Sequence, residues 1–297
     1  MRVLVLGSNG FLGGHVSNLL GNLGHTIIGA DIIGGGSSNH IFIDPIQPDF
    51  ERVFQTANAD FCVNCTGAAS VPESFSNPHH DYTLNTLRIA QMLEAIRMVS
   101  AHTKFVHFSS AAVYGGSYGY QAIKEDVQLK PLSPYGWHKK SAEDICREYS
   151  CYFGLGTISL RVFSAYGPNL RKQLFWDLYQ KVSHQSKVEL FGTGQEARDF
   201  IYVEDLVNAL SAILLHGDFD GRAVNVASGT ATKIETAAHL FLDSLGSKKE
   251  IIFTGTERAG DPSYWQADIS YLKSVGFSPR FDLQSGLSCV ADWLRSL

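Results

Sequence analysis

The stretch RVLVLGSNGFLGG, residues 2–14, decides the fold. Val3 to Leu6 is continuously apolar, as expected of a strand buried on both faces. Gly7, Gly10 and Gly13 follow with the spacing G-x-x-G-x-x-G, and HVSNLLGNL then carries apolar residues at helical intervals. Strand, glycine turn and helix in that order bring backbone close to a pyrophosphate and aim the first amides of a helix at it. Asp31 closes the next apolar run, 18 residues after Gly13. An acid at that place bonds a ribose 2′-hydroxyl and repels a 2′-phosphate. No Arg or Lys occurs from 31 to 50 to accept such a phosphate. The expected cofactor is therefore NAD rather than NADP. Asp44, just after the third strand, is a candidate for the adenine amino group; the alternative is a solvated turn residue before Pro45.

Outward from this stretch, TIIGAD, HIFID, FCVNCT, KFVHFSS and TISLRVF read as strands two to six. IIGGGSSN, between the second and third, is too short and glycine-rich for a crossover helix. Leu84, Leu87, Met92, Leu93 and Ile96 predict one long helix over 78–100, and a second runs from Pro134 to Phe153. Apolar strands alternating with helices predict an α/β fold, a Rossmann-type doubly wound parallel sheet, with a smaller C-terminal α/β substrate domain. The rhythm changes after Gly167-Pro168. Helices are expected near 172–184, 203–215, 232–245, 268–275 and 284–295, with AVNVAS as a further strand. The expected division is a dinucleotide-binding domain over 1–166, to which the chain returns at about 199–228, and a mainly substrate-binding domain over 167–297.

Composition narrows the function. The 297 residues hold 24 basic and 29 acidic side chains, a net charge of −5, which offers no electrostatic footprint for nucleic acid or an anionic membrane. No apolar run approaches the ~20 residues of a membrane span, and MRVLVLGSNG lacks the long apolar region of a signal peptide. Five cysteines, an odd number, fit free thiols in a reducing cytoplasm. Cys62 and Cys65 form C-x-x-C within a strand, where i and i+3 point to opposite faces, so they read as strand thiols and no metal site is expected.

Pro134-Tyr-Gly-Trp-His-Lys139 contains Y-x-x-x-K. On a helix the two side chains share a face, so Lys139 can approach the Tyr135 phenol. Lowering a phenol from about 10 to ~7 takes about 4 kcal/mol, which a neighbouring ammonium and an oxidised nicotinamide ring both favour. Such a base can take a hydroxyl proton while hydride leaves the same carbon. Ser110 ends the preceding strand, the edge where these sheets place ligands.

These motifs together resemble the extended short-chain dehydrogenase/reductase family, and its NAD-dependent nucleotide-sugar epimerase/dehydratase branch in particular. VPESFSNPHHDYTLNTL, LRVFSAYGP, Arg198-Asp-Phe-Ile-Tyr-Val-Glu-Asp205 and Arg258-Ala-Gly-Asp261 match further segments of that branch in order. The resemblance implies that Tyr135 is the catalytic base, Lys139 its partner and a ribose ligand, and Ser110 a hydrogen-bond partner of the reacting sugar oxygen. Cofactor contacts would come from Gly7, Gly10, Phe11, Leu12, Gly13, Asp31, Asp44, Pro45, Cys65, Thr66, Gly67, Asn85, Ser109 and Phe163, as well as Tyr135 and Lys139. Arg198 and Arg258 would hold the diphosphate of a nucleotide sugar. Ser164, Asp261 and Tyr264 would complete the substrate contacts with Ser110 and Tyr135. Tyr264 and Trp265 read equally well as core packing. The partners implied are a nucleotide-diphosphate sugar and a second copy of the chain, docked through the helices near 84–100 and 135–152.

The departures are informative. Ala111 and Ala112 stand where the dehydratases of the branch carry an Asp–Glu pair, and eliminating water needs a general acid. Ser164 replaces the usual Asn, Ala69 replaces a Lys found in some epimerases, and the C-terminal part is short. The expected activity is NAD-dependent C4 epimerisation of a UDP- or dTDP-hexose through a 4-keto sugar. The alternatives are a 4-keto reductase of an activated deoxy sugar that consumes NAD(P)H, and a non-enzymatic cofactor-binding protein. Retention of both Tyr135 and Lys139 argues against the last.

Overall fold

The computed structural model describes residues 1–35, 39–116, 118–256 and 262–297. The chain begins β1 (Arg2–Leu6), α1 (Phe11–Asn22), β2 (Thr26–Asp31), β3 (His40–Phe42), α2 (Phe50–Ala57), β4 (Phe61–Asn64), α3 (Val71–Ser76) and α4 (Pro78–Tyr82). A π-helical turn (Thr83–Leu87) leads into α5 (Arg88–Val99), then β5 (Lys104–Ser110), a 3₁₀ turn (Ala111–Val113), α6 (Pro134–Phe153), β6 (Thr157–Val162) and β7 (Ser164–Tyr166). The remainder is α7 (Gln173–His184), β8 (Val188–Leu190), β9 (Ala197–Tyr202), α8 (Val203–His216), β10 (Ala223–Val226), β11 (Ala231–Lys233), α9 (Ile234–Leu245), β12 (Ile251–Phe253), α10 (Ser270–Ser274) and α11 (Leu283–Arg295).

Seven strands form one sheet in the order β10-β6-β5-β4-β1-β2-β3. The registers from β3 through to β6 are all parallel. Every residue of β4 and β6 is buried, the polar Asn64, Thr157, Ser159 and Arg161 among them, as expected of strands covered on both faces. Chain order reverses between β1 and β4, and ligands of such sheets bind beyond the carboxyl ends of the strands at that point. AVNVAS contributes β10, a seventh strand at the edge. The single helix expected over 78–100 is instead α4, the π turn and α5. Asn77, whose side chain accepts from His80 N, and Pro78 start α4. A π turn adds a residue to the helical repeat, a distortion common at functional sites.

By contact density the chain forms two units. The first comprises Met1–Gly115, Gln128–Val162 and Leu210–Val224; the second comprises Gly116–Val127, Phe163–Ala209 and Asn225–Leu297. In the first unit, Leu4, Leu6, Phe54, Met92, Leu93, Ile96, Phe105, Ala142 and Cys146 build a core between the sheet and α2, α5 and α6. The ends of α6 are specified locally. Ser133 Oγ accepts from Gly136 N, Pro134 takes the first turn, and Gly154 closes the helix in the left-handed region at φ 68°.

A charged cluster lies under α6. Arg161 on β6 donates through Nε and Nη2 to Glu143, the nearest contact being 2.8 Å, and both side chains are buried. Ser109 Oγ also donates to Glu143, and Arg161 Nη1 donates to the Tyr114 hydroxyl at 3.0 Å. Within the second unit, β9 is the middle strand of β11-β9-β7. Its Asp199 accepts from Ser228 N and Oγ, Gly229 N and Ala267 N, while Asp205 on α8 accepts from Arg280 N and Phe281 N. Both aspartates of the Arg198–Asp205 motif therefore serve as backbone clamps.

Glu143→Gln leaves a buried guanidinium without its counter-charge. The unfolding free energy is expected to fall by about 3–5 kcal/mol, read from guanidinium denaturation midpoints, and the double variant Glu143→Leu/Arg161→Leu should recover much of it.

Candidate active site

The turn after β1 is shaped to approach a ligand. Gly7 N and Ser8 N donate to Ala30 O at 2.8 and 3.4 Å, Gly10 N to Gly7 O at 3.0 Å, and Gly14 N to Gly10 O at 2.8 Å. A Cβ on Gly13 would lie 2.0 Å from Gly7 O, so α1 can start against the turn only with glycine there. Gly10 caps α1 without a side-chain hydrogen bond, which leaves the amides of Phe11, Leu12 and Gly13 without a side-chain competitor for an anion. Asp31, buried at the end of β2, receives Asn9 N on Oδ2 at 2.8 Å and Ile33 N on Oδ1 at 3.1 Å. Each oxygen keeps a further lone pair for a hydroxyl.

Asp44 lies in an exposed turn. Its Oδ1 accepts from Ile46 N and Gln47 N, and these bonds hold its carboxyl below the usual range. Arg88 reaches the carbonyls of Pro45 and Ile46. After β4, Cys65 N donates to Leu6 O, and Thr66 donates through both N and Oγ1 to Asn64 Oδ1. Cys62 and Cys65 are free, and burial pushes both thiols up. Among the described residues no group of three or more His, Cys, Asp or Glu is arranged to hold a metal.

Asn85, carried by the π turn, is fully buried, and neither its Oδ1 nor its Nδ2 has a hydrogen-bond partner. It converges with Lys139 on Gly67, where a Cβ would meet Asn85 Oδ1 at 2.6 Å and Lys139 Nζ at 3.6 Å. Orphaned polar atoms in the interior cost free energy unless a ligand or water serves them. The glycine turn, the acid at Asp31 and this cradle fit a dinucleotide.

Ser110, Tyr135 and Lys139 come together at the end of β5 and the start of α6. Lys139 Nζ donates to Phe108 O at 2.8 Å and stands 5.9 Å from the centre of the Tyr135 ring. Ser110 lies beside Tyr135 and favours ionisation of its phenol, and its Oγ accepts from Ala112 N at 3.1 Å. Gly136 permits the approach, because a Cβ there would lie 2.6 Å from Ala112 O. Burial pushes the Tyr135 phenol up to about 12; Ser110 pulls it back and the Asp81 charge adds to the rise. Burial likewise lowers Lys139 to about 8, against the charges of Asp81 and Glu143. Desolvation is the largest influence on the phenol of the free protein, and the expected lowering calls on the ammonium and an oxidised nicotinamide ring together. Ser109 points its hydroxyl into the core, onto Glu143.

In the second unit Phe163 packs edge-on to Trp265, and the Arg198 guanidinium stands 5.7 Å from the Trp265 ring centre while donating to Ala197 O. Ser164 is half-buried on β7. Tyr264 donates to Gln266 Oε1 at 2.7 Å and meets Tyr120 edge-on. Arg258 and Asp261 lie outside the described residues.

Sequence inspection misses Asp81 and His138. His138 lies between Tyr135 and Lys139 on α6, and its ring Nδ1 is 2.5 Å from Asp81 Oδ1 on α4. The two are 57 positions apart, so nothing in local spacing links them.

The family model described as NAD dependent epimerase/dehydratase family matches residues 3–227. The chain is 31% identical over 316 residues to the uncharacterized UDP-glucose epimerase YtcB of Bacillus subtilis (strain 168), covering 100% of this chain and 99% of that protein. A crystal structure of UDP-glucuronic acid 4-epimerase from Bacillus cereus, in complex with UDP-glucuronic acid and NAD, has 28% identity and a TM-score of 0.89, with 100% of this chain and 99% of that chain covered. The UDP-N-acetylglucosamine 4-epimerase of Methanobrevibacter ruminantium M1 has 25% identity and a TM-score of 0.87, over 99% and 98% of the two chains.

Gly13→Ala must displace the Gly7 carbonyl or the start of α1. Dinucleotide affinity is expected to fall at least tenfold, about 1.4 kcal/mol or more, in calorimetric titration with NAD, while circular dichroism keeps its helical signal.

Proposed function

We infer that this chain, which belongs to the NAD-dependent epimerase/dehydratase family, is a UDP-sugar 4-epimerase. The observation that carries this reading is the meeting of Ser110, Tyr135 and Lys139, with Lys139 Nζ 5.9 Å from the Tyr135 ring centre and Ser110 followed by Ala111 and Ala112 rather than by acids. Tyr135 can move a proton here, and Ala111 and Ala112 do not offer the second acid that water loss needs. The names of the relatives supply the direction of the chemistry, C4 epimerisation of UDP-linked sugars.

In this reading Gly7–Gly13, Asp31, Asn85 and Lys139 hold NAD, which when bound supplies a hydride acceptor and a positive charge near the phenol. Tyr135 takes the proton of the sugar 4-hydroxyl, and Ser110 donates to the same sugar oxygen as it becomes a carbonyl. The keto sugar turns its opposite face, and Tyr135 returns the proton. Burial raises the free phenol, so cationic neighbours that offset desolvation favour the base. This ties proton removal to a loaded site. Arg198 is assigned to the substrate diphosphate, and Ser164 and Tyr264 to the sugar nucleotide. A second copy is the proposed protein partner, supported by exposed Met98 on α5 and exposed Trp137, Tyr152 and Phe153 on α6. No helix among the described residues is long and apolar enough to cross a membrane.

Incubation with UDP-glucose, UDP-glucuronic acid and UDP-N-acetylglucosamine in D₂O is expected to give a C4 epimer from at least one of them, without added NADH and without deuterium at C4, as read by proton NMR. Stoichiometric loss of added NADH on a 4-keto sugar nucleotide would instead assign the reductase. Tyr135→Phe should lower the epimerisation rate by a factor of about 10²–10⁴, the usual worth of a general base. Light scattering during gel filtration should give twice the chain mass, and Trp137→Glu should reduce it to the single-chain value.

A further inference from the structure

A row of buried polar side chains crosses the sheet of the first unit on the face that α6 covers. Asn64 on β4 pairs in register with His107 on β5, and His107 pairs with Ser159 on β6. All three are buried to 1% exposure or less. Their common face follows from the alternation of side chains along a strand. Ser109, two residues past His107, reaches Glu143 of α6. Thr157 and Arg161, two residues either side of Ser159, reach Cys146 O and Glu143 of the same helix. Among the described residues, Asn64 Nδ2, both ring nitrogens of His107 and Ser159 Oγ have no hydrogen-bond partner. The Cys146 thiol beside Ser159 is a weak hydrogen-bonding group. Buried polar groups are nearly always satisfied, so three cross-strand neighbours with unserved atoms in one place point to a ligand.

The members of the row are chemically complementary. Burial keeps the His107 imidazole neutral, so it offers one donor and one acceptor. The Asn64 amide is fixed from its other end, where Oδ1 accepts from Thr66 N at 3.1 Å and from Thr66 Oγ1 at 2.6 Å. A backbone N–H can only donate, so the amide oxygen faces Thr66 and Nδ2 faces away from it as a donor. Ser159 Oγ can donate or accept. Neighbouring strands lie about 4.8 Å apart, and polar atoms that fall short of direct contact across such a gap are joined by water where about two to four of them converge. We propose that Asn64, His107 and Ser159 hold an internal water site, through which His107 is a positioning residue for the dinucleotide cradle. Because Asn64 presents a donor, the site suits a molecule that both accepts and donates, not a cation. Water and His107 hold Asn64 Nδ2, and Asn64 Oδ1 holds Thr66. Thr66 in turn precedes Gly67, the glycine on which Asn85 and Lys139 converge.

This role concerns the NAD site and is independent of the sugar reaction. A crystal structure of the NAD-loaded protein, at a resolution that shows ordered solvent, should contain water bridging at least two of Asn64 Nδ2, a His107 ring nitrogen and Ser159 Oγ. His107→Phe, which fills the space without polar atoms, should lower NAD affinity roughly three- to tenfold in calorimetric titration, the worth of about one hydrogen bond. His107→Gln, which keeps a donor and an acceptor, should stay within about twofold of the parent. The Thr66 amide resonance should move in the Phe variant and return toward its parent position in the Gln variant. A general loss of packing would weaken binding whether or not Asn64 is present, and a double variant separates the two causes. In an Asn64→Ala background, His107→Phe should cost no further affinity. The parent crystal structure requires no substitution and decides the proposal if a variant fails to fold. A row without water in the parent, its side chains bonded directly to one another or left dry, would overturn it. So would losses from His107→Phe and Asn64→Ala that simply add.

Discussion

The hydrogen bond from Lys139 Nζ to the carbonyl of Phe108 joins the helix that carries the proposed base to the strand that carries its serine partner. Every other feature of the site depends on that junction. Phe108 lies two residues before Ser110, and Lys139 lies one helical turn after Tyr135, so a single 2.8 Å bond fixes both pairs. The junction is supported from below by Glu143, one turn further along α6, which ties the helix to Ser109 on β5 and Arg161 on β6. It is supported from the side by the Thr86 and Asp81 bonds to His138. A cluster of this kind is costly to bury, and its hydrogen bonds rigidify the place where chemistry needs rigidity.

Burial has opposite consequences in the two halves of the site. Around the glycine turn, close packing of backbone on backbone leaves helix amides for an anion, and no side-chain charge is required. Around Tyr135 and Lys139 the same exclusion of water penalises every charged state, raising the phenol and lowering the ammonium. The net charge of −5 is compatible with anionic ligands for the same reason, because local dipoles and a few placed cations act at contact distance, whereas bulk charge is screened within about 10 Å.

Much of this was legible in the chain itself. The parallel sheet follows from the alternation of short strands, the apolar run of β1 among them, with helices, and the dinucleotide turn from glycines at 7, 10 and 13 between a strand and a helix. The limits of α6 follow from Ser133-Pro134 and Gly154, whose capping roles are local. The segment 78–100 was harder. Its apolar spacing predicts one helix, and the π turn that carries Asn85 leaves no mark on a periodicity averaged over several turns. The excursion of residues 116–127 into the second unit has no composition signal. The Arg198–Asp205 motif was legible as a motif, but the four bonds that Asp199 accepts come from Ser228, Gly229 and Ala267, far along the chain.

By itself, then, the sequence determined what depends on neighbours in the chain: strand, turn and helix, the glycine positions that L side chains cannot occupy, and the pairing of Tyr135 with Lys139 across one helical turn. Tertiary structure alone decided which distant groups share the interior with that pair. Asp81 meets His138, Glu143 meets Arg161 and Ser109, and Asn85 meets Lys139 because separate helices and strands pack there. Proton affinities inside a protein follow from burial and from charges within a few ångströms, and both are properties of the packed chain. That is why Tyr135 could be recognised from its spacing, while the charges that govern its ionisation could not.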